Sequence, residues 1–428
     1  MFTSASLILA LMVAIYIIAQ RLKLSTELSM FAAAVAGAFA AGEWFPVRHV
    51  AEGAITYLDI NLIFITATLF MNILKESGGV AFAVRGILKG FHRSRVLLLV
   101  LLTFLLLLPG ALTGAGSVTV LITGGMVAVV LGYMGIPRIK VAAIIFLLAG
   151  LSAAAPPVSL WAMMTAAGVN MPYVGFFWPL LIPCVVAALI TIFILGWKGT
   201  PVDLDKAFGE LPVPPPKMNW VRIIIPFIIF FGLILTGRKW PFETPVVGLP
   251  LMFTLAALAS WLLSPVKLKL LKIFTDTLRQ LLPLIGTLTA AGILVQIMTL
   301  TGVRGLLAIT FITLPTWLVI GGLFIFLPVT EAVLMYGAAA VFGVPLILLF
   351  NSMGLDPIVA LAGLSVIWPL GDALPPTAII GRLSVSVTGV SDSYGKFLRQ
   401  CMVPAVIICI IGTLMVIYSK QLGFLTGL

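Results

Sequence analysis

Leu327-Pro328-Val329-Thr330-Glu331 and, further along, Gly371-Asp372-Ala373-Leu374-Pro375-Pro376-Thr377 enclose an almost wholly apolar stretch. Two acids, Glu331 and Asp372, therefore stand in segments with the composition of membrane spans. A carboxylate at bilayer depth costs roughly 2.5–3.5 kcal/mol on the insertion scale, so an unforced one is rarely kept. Each acid has two readings, a carrier of a cation or proton and a neutralised acid in a structural hydrogen bond. The frame around them occurs twice. Pro109 precedes Pro156-Pro157 by 47 positions, and Pro328 precedes Pro375-Pro376 by the same 47. At an offset of 219, Gly124 also falls on Gly343, while upstream Asn72 and Gln296 each stand six residues before a glycine, Gly78 and Gly302.

The whole chain shares this apolar character. Of its 428 residues 61% are hydrophobic and 9% charged, against about 25% charged in soluble domains, and the mean hydropathy is +1.23. That defines an all-α polytopic membrane protein with room for about ten to twelve spans. The net charge of +11 is carried in short loops and forms no continuous basic patch, so it orients spans and does not point to nucleic acid. Cys184, Cys401 and Cys409 lie in apolar runs, with neither disulfide nor zinc spacing. Met1 to Gln20 has no charged leader and no small-residue cleavage site, and reads as a retained first span.

A polar, Pro-rich linker at 198–218, with Val213-Pro214-Pro215-Pro216-Lys217, divides the chain into residues 1–197 and 219–428. Each half is expected to hold five spans and a re-entrant hairpin, at 97–131 and 316–350, followed by a proline-broken span, at 139–167 and 357–382. An odd number of crossings inverts the second half relative to the first. Placing both termini outside puts 20 of the 25 Lys and Arg in the cytoplasm, leaving Arg48, Arg238, Lys239, Arg304 and Lys420 outside. The first hairpin's arms, 97–112 and 117–131, read as about 22–24 Å long at 1.5 Å per residue, short of a core about 30 Å thick. Full crossings are the alternative.

The hairpin corners and broken spans are the candidate site. Proline removes an amide and frees a carbonyl one turn upstream, so a broken helix offers oxygens to a cation and amides to an anion. Substrate contacts are expected from Thr113, Gly116, Ser117, Pro156, Pro157, Thr330, Pro375, Pro376, Thr377 and Arg382, and coupling from Ser117, Glu331 and Asp372. Sodium has candidate oxygen ligands at Ser117, Ser152, Glu331 and Asp372, with Asn351 a further neutral oxygen nearby. Arg382 has a second reading, snorkelling to the interface. Asn72 and Gln296 read as helix-to-helix ties, and Val84 to Arg95 as an amphipathic interfacial arm. No nucleophile–base grouping, nucleotide loop or metal spacing appears, which argues against an enzyme or an ATP-driven pump; no cofactor beyond a coupling Na+ or H+ is implied.

The chain resembles the large membrane permease of TRAP-type (tripartite ATP-independent periplasmic) transporters, within the ion-transporter superfamily, over nearly its whole length. The likeness rests on Gly114-Ala115-Gly116-Ser117-Val118, Ala153-Ala154-Ala155-Pro156-Pro157-Val158-Ser159, Gly354-Leu355-Asp356-Pro357 and Leu374-Pro375-Pro376-Thr377. It implies an elevator mechanism in the inner membrane and sodium symport importing a small organic anion such as a dicarboxylate. It also implies a soluble binding protein and a small four-span subunit as partners. Glu331 and Asp372 stand where the resemblance implies apolar or small residues. That keeps open a single-component proton- or sodium-coupled antiporter or exporter, and, from another class, a non-transporting membrane scaffold.

Overall fold

The computed structural model describes residues 2–240, 243, 245, 247–390 and 393–427. Long runs of Leu, Ile, Val, Phe and Ala leave backbone amides no partner in lipid except their own helix, and the described residues form helices and no strand. The first half runs α1 (Phe2–Arg21), α2 (Thr26–Ala40), α3 (Val47–Ile55), α4 (Leu58–Glu76) and α5 (Gly79–Phe91). The first hairpin follows, with α6 (Arg95–Thr113), α7 (Gly116–Thr119), a π-turn (Val120–Gly124) and α8 (Gly125–Tyr133). The broken span is α9 (Arg138–Ala154) and α10 (Leu160–Gly168), and α11 (Phe177–Gly196) closes the half. After the linker helix α12 (Leu204–Glu210) come α13 (Trp220–Lys239), α14 (Leu249–Leu262), α15 (Leu270–Leu300) and α16 (Val303–Thr313). The second hairpin is α17 (Thr316–Leu334), a π-turn (Ala339–Gly343) and α18 (Val344–Ser352). Then follow α19 (Pro357–Ile367), a 3₁₀ turn (Trp368–Ala373), α20 (Ile379–Thr388) and α21 (Tyr394–Ile417).

Local features recur at the spacing seen in the sequence. Left-handed glycines, Gly78 at φ 85° and Gly302 at φ 75°, open α5 and α16. The two π-turns begin 219 residues apart, and Pro156-Pro157 and Pro375-Pro376 are both cis. Asp356 starts α19 by accepting from the amides of Ile358 and Val359 at 2.9 and 3.0 Å, with Pro357 in the first turn.

Among the described residues nine helices are long and apolar enough to cross a membrane, so the chain is a multi-pass membrane protein. The arms of the first hairpin are longer than expected. Helix 95–113 has 19 residues and 116–133 has 18, or about 27–28 Å, because the helix runs back through Arg95 to a Ser94 cap. Length therefore does not separate a re-entrant hairpin from a full crossing. The linker also differs from expectation. Its Val202, Ala207 and Leu211 are buried, and Arg85 grips it, donating to the carbonyls of Phe208, Leu211 and Pro212 at 2.7, 2.6 and 2.9 Å. Tyr133 holds Glu210 at 2.7 Å. Arg85 is thus a structural clasp on α5, where an interfacial arm was expected.

The helices pack as two groups. In one, α15 lies on α2, α3 and α4, with α1, α13 and α14 around them. Gly53 and Gly292 let the backbones of α3 and α15 touch, since a Cβ on Gly292 would strike the Gly53 carbonyl. In the other, α9 is the central column, contacted by α6, α11, α20 and α21, with α19 on α21. The hairpins cross over between halves. The first π-turn packs on α20 and the second on α10, so each rests on the helix after the other half's break.

Candidate functional site: a buried acid pair beside a cavity shared by both halves

Glu331 lies near the end of α17, and Asp372 in the 3₁₀ turn that ends α19. The elements meet face to face because Gly371 has no side chain: a Cβ there would strike the Pro328 carbonyl and lie 2.6 Å from Cβ of Glu331. Glu331 is 0% exposed and Asp372 1%. Neither Glu331 oxygen, nor Asp372 Oδ2, has a hydrogen-bond partner. Asp372 is the like-charged neighbour of Glu331, and the Trp161 indole of α10 lies near enough to be a donor to it, though outside hydrogen-bond geometry here. Trp161 Nε1 is itself buried and unpartnered, and its ring packs on Tyr336 at 5.1 Å between centroids. A buried unpaired carboxylate is costly until a proton or a cation removes its charge, so this pair is held most cheaply with its charge neutralised.

Asp372 also faces a cavity of about 160 Å³ shared with Ser117, Leu121, Gln280, Leu281, Pro283, Leu284, Met335, Tyr336, Ile379, Ile380 and Leu383. Its walls come from both hairpin corners, the second broken span and α15. Two of its lining residues carry polar atoms buried without partners, Gln280 Nε2 and Asp372 Oδ2.

Of the residues expected at the site, the structure brings Ser117 and Asp372 to this cavity and sets Glu331 beside Asp372. Gly116 allows the close approach, since a Cβ there would meet Ile380 at 2.5 Å and the Ala149 carbonyl at 2.6 Å. The others lie elsewhere or are engaged. Thr113 donates to the Pro109 carbonyl at 2.8 Å, and Thr377 to the Ala332 carbonyl at 2.9 Å. Ser152 donates to the Ala149 carbonyl at 2.6 Å and pairs with Thr119 at 2.8 Å. Thr330 donates to the Leu327 carbonyl at 2.9 Å and, with Pro376, borders an apolar groove of about 680 Å³ against α1. Pro375 is exposed beside it. Pro156 and Pro157 open into a separate cavity of about 510 Å³ with Tyr173 and Phe176. Arg382 is exposed and reaches the Pro376 carbonyl at 3.3 Å. Asn72 ties α4 to α15 through Thr277 at 2.9 Å, as a helix tie should.

Trp161, Tyr336 and Gln280 are absent from the sequence-derived set. The offset of 219 carries the signal for two of them, because it pairs Tyr336 with Ser117 and Trp161 with Ile380. Gln280 belongs to the other helix group, and no repeat points to it.

This architecture is that of solved membrane transporters. The chain superposes on the YdaH transporter of Alcanivorax borkumensis, reported to have an unusual topology, with a TM-score of 0.63 over 89% of each chain at 12% identity. It superposes on MtrF of Neisseria gonorrhoeae, reported to illuminate a class of antimetabolite efflux pumps, with a TM-score of 0.61 at 14% identity. That match covers 87% of this chain and 83% of MtrF. No family model and no curated protein matches the chain. The likeness is one of fold, and the TRAP resemblance rests on the sequence motifs alone.

Proposed function

We propose that the protein is a secondary active transporter of a small organic anion, coupled to a cation through Glu331 and Asp372. The observation that carries this reading is the buried, unpartnered acid pair beside a cavity walled by both halves of the chain. An anion shares that cavity with Asp372 only when a bound cation or proton cancels the carboxylate charge, and that requirement is the coupling. The two helix groups suit an elevator cycle. The group built on α9, carrying hairpins and broken helices, slides against the group built on α15, with the halves inverted across the membrane and each hairpin gating one side. Sodium symport importing a dicarboxylate, with a binding protein and a small subunit in the inner membrane, is the form the sequence motifs favour. A single-component proton exchanger is favoured by one specific observation: among the described residues neither Glu331 oxygen has a hydrogen-bond donor, and a buried carboxyl without one is kept neutral most simply by a proton.

The purified chain in liposomes tests this with labelled succinate under sodium and pH gradients, with and without a candidate binding protein. Gradient-driven flux is expected in the wild type. Glu331→Gln and Asp372→Asn should each lower it on the order of 10²-fold, the scale of losing a proton-transfer group, while succinate–succinate exchange survives. Full coupling in both variants, or flux indifferent to every gradient, sinks the proposal.

A further inference from the structure

A second polar cavity, of about 460 Å³, lies between the end of α4 and the start of α15. Its walls carry four lysines, Lys75, Lys267, Lys269 and Lys272, against two acids, Glu76 and Asp276. Among the described residues none of these lysines has a carboxylate within ion-pair distance, the pairs found being Arg48–Glu52 and Lys206–Asp203. The basic cavity adjoins the inner one. Gln280 lines both, and its Nε2 is buried and unpartnered. Lys75 lines the basic cavity and donates at 3.0 Å to the carbonyl of Leu121, a residue of the inner cavity in the first π-turn. Successive turns of α15 thus border first one cavity, through Lys272, Asp276 and Gln280, and then the other.

We infer that the basic cavity, on the side that the Lys and Arg distribution assigns to the cytoplasm, holds small soluble carboxylates passing between the cytoplasm and the inner cavity, and that Gln280 is the donor that hands the carboxylate between the two cavities. This rests on the transport reading and adds to it a substrate charge, a route and a specificity residue. Excess positive charge in a cleft raises the local concentration of anions, an effect that salt weakens. A primary amide offers a carboxylate a directed hydrogen bond at no cost in net charge. Anionic lipid headgroups share this chemistry. A cavity that shares Gln280 with the inner one favours a soluble anion able to pass between them.

Cysteine labelling reads the site without requiring transport, since Cys184, Cys401 and Cys409 are all buried. A Lys272→Cys variant in phosphatidylcholine liposomes is reacted with a sulfonate-bearing and with a trimethylammonium-bearing thiosulfonate. The anionic reagent should react about tenfold faster, within the range that field focusing gives, and succinate should slow it. Adding Lys75→Gln, Lys267→Gln and Lys269→Gln should abolish both effects, and arginine at the same three positions should restore them. Gln280→Leu should raise the KM for succinate several-fold while Gln280→Asn raises it less. Equal reaction with both reagents, or protection given by phosphatidylglycerol and not by succinate, overturns the inference. Intact succinate protection in a protein with no flux overturns the transport reading alone.

Discussion

At the first break the residues equivalent to the acids are Leu112 and Ala153, both fully buried, and the corner pair is Ser117 with Ile380. At the second, the same frame holds Glu331 and Asp372, and the corner pair is Tyr336 with Trp161. Both regions have a hairpin with a π-turn, a cis Pro-Pro and a helix from the other half resting on the corner. The difference teaches that fold and charge are separable here. One region builds the frame without a carboxylate, from apolar contacts and short hydroxyl bonds such as Ser152 with Thr119, so the acids of the other are not needed to form it.

That comparison can be broken most directly by moving the acids. Leu112→Glu with Ala153→Asp should add roughly 2.5–3.5 kcal/mol per buried carboxylate, and the double variant is expected to lose folded yield or fall far in Tm. Survival with unchanged Tm would mean the first region is already hydrated. The converse exchange, Glu331→Leu with Asp372→Ala, should raise stability by about 1–3 kcal/mol, because buried carboxyl groups without hydrogen-bond partners are replaced by apolar contact. Thermal unfolding in detergent reads this, and a fall in Tm would show the acids to be structural.

A finer test uses one glycine from each half. A Cβ on Gly110 would strike Ser152 Oγ, and one on Gly343 would strike the Thr165 side chain. Gly110→Ala and Gly343→Ala should each cost about 1–3 kcal/mol, the range for overpacking. A cost confined to one of them would show that the halves are packed to different tolerances. The smallest effect concerns the linker, which neither region repeats. Asp203 accepts from the Asp205 amide at the start of α12, and its bond with Lys206 holds its pKa below the ordinary carboxylate value. A lowered folded pKa means the contribution is present above the unfolded value and is lost as pH falls through the folded one. Protease cutting near α12 should therefore rise only in that acid range, and Asp203→Asn should remove the dependence.

Much of this was legible in the sequence, for physical reasons that also mark where legibility stopped. Paired prolines determine backbone geometry locally, so the breaks at Pro156-Pro157 and Pro375-Pro376 stand where the spacing put them, while Gly78 and Gly302, read only as markers of the repeat, turn out to be left-handed helix starts. Glu331 and Asp372 stood out because acids are costly in apolar runs. The hydroxyls were less legible. Thr113, Thr330 and Thr377 each donate to a carbonyl of their own half, the cheapest partner for a hydroxyl in lipid, and each keeps a lone pair for a ligand. Trp161 and Tyr336 were invisible as site residues because an aromatic in an apolar run carries no charge signal. The linker's packing was hidden too, since it depends on Arg85 reaching carbonyls more than a hundred residues away.

Helix α15 has 31 residues, about 46 Å at 1.5 Å per residue, against a hydrocarbon core about 30 Å thick. It is therefore a ruler longer than the barrier it crosses. Its graduations are turns of about 5.4 Å; the charged ones end at Arg279, next to Gln280, beyond which Leu281, Pro283 and Leu284 border the inner cavity. On the proposed route, a solute passing between the two cavities leaves the charged part of that ruler at Gln280, and in the inner cavity it faces apolar α15 side chains on one wall and Ser117, Tyr336 and Asp372 on the others.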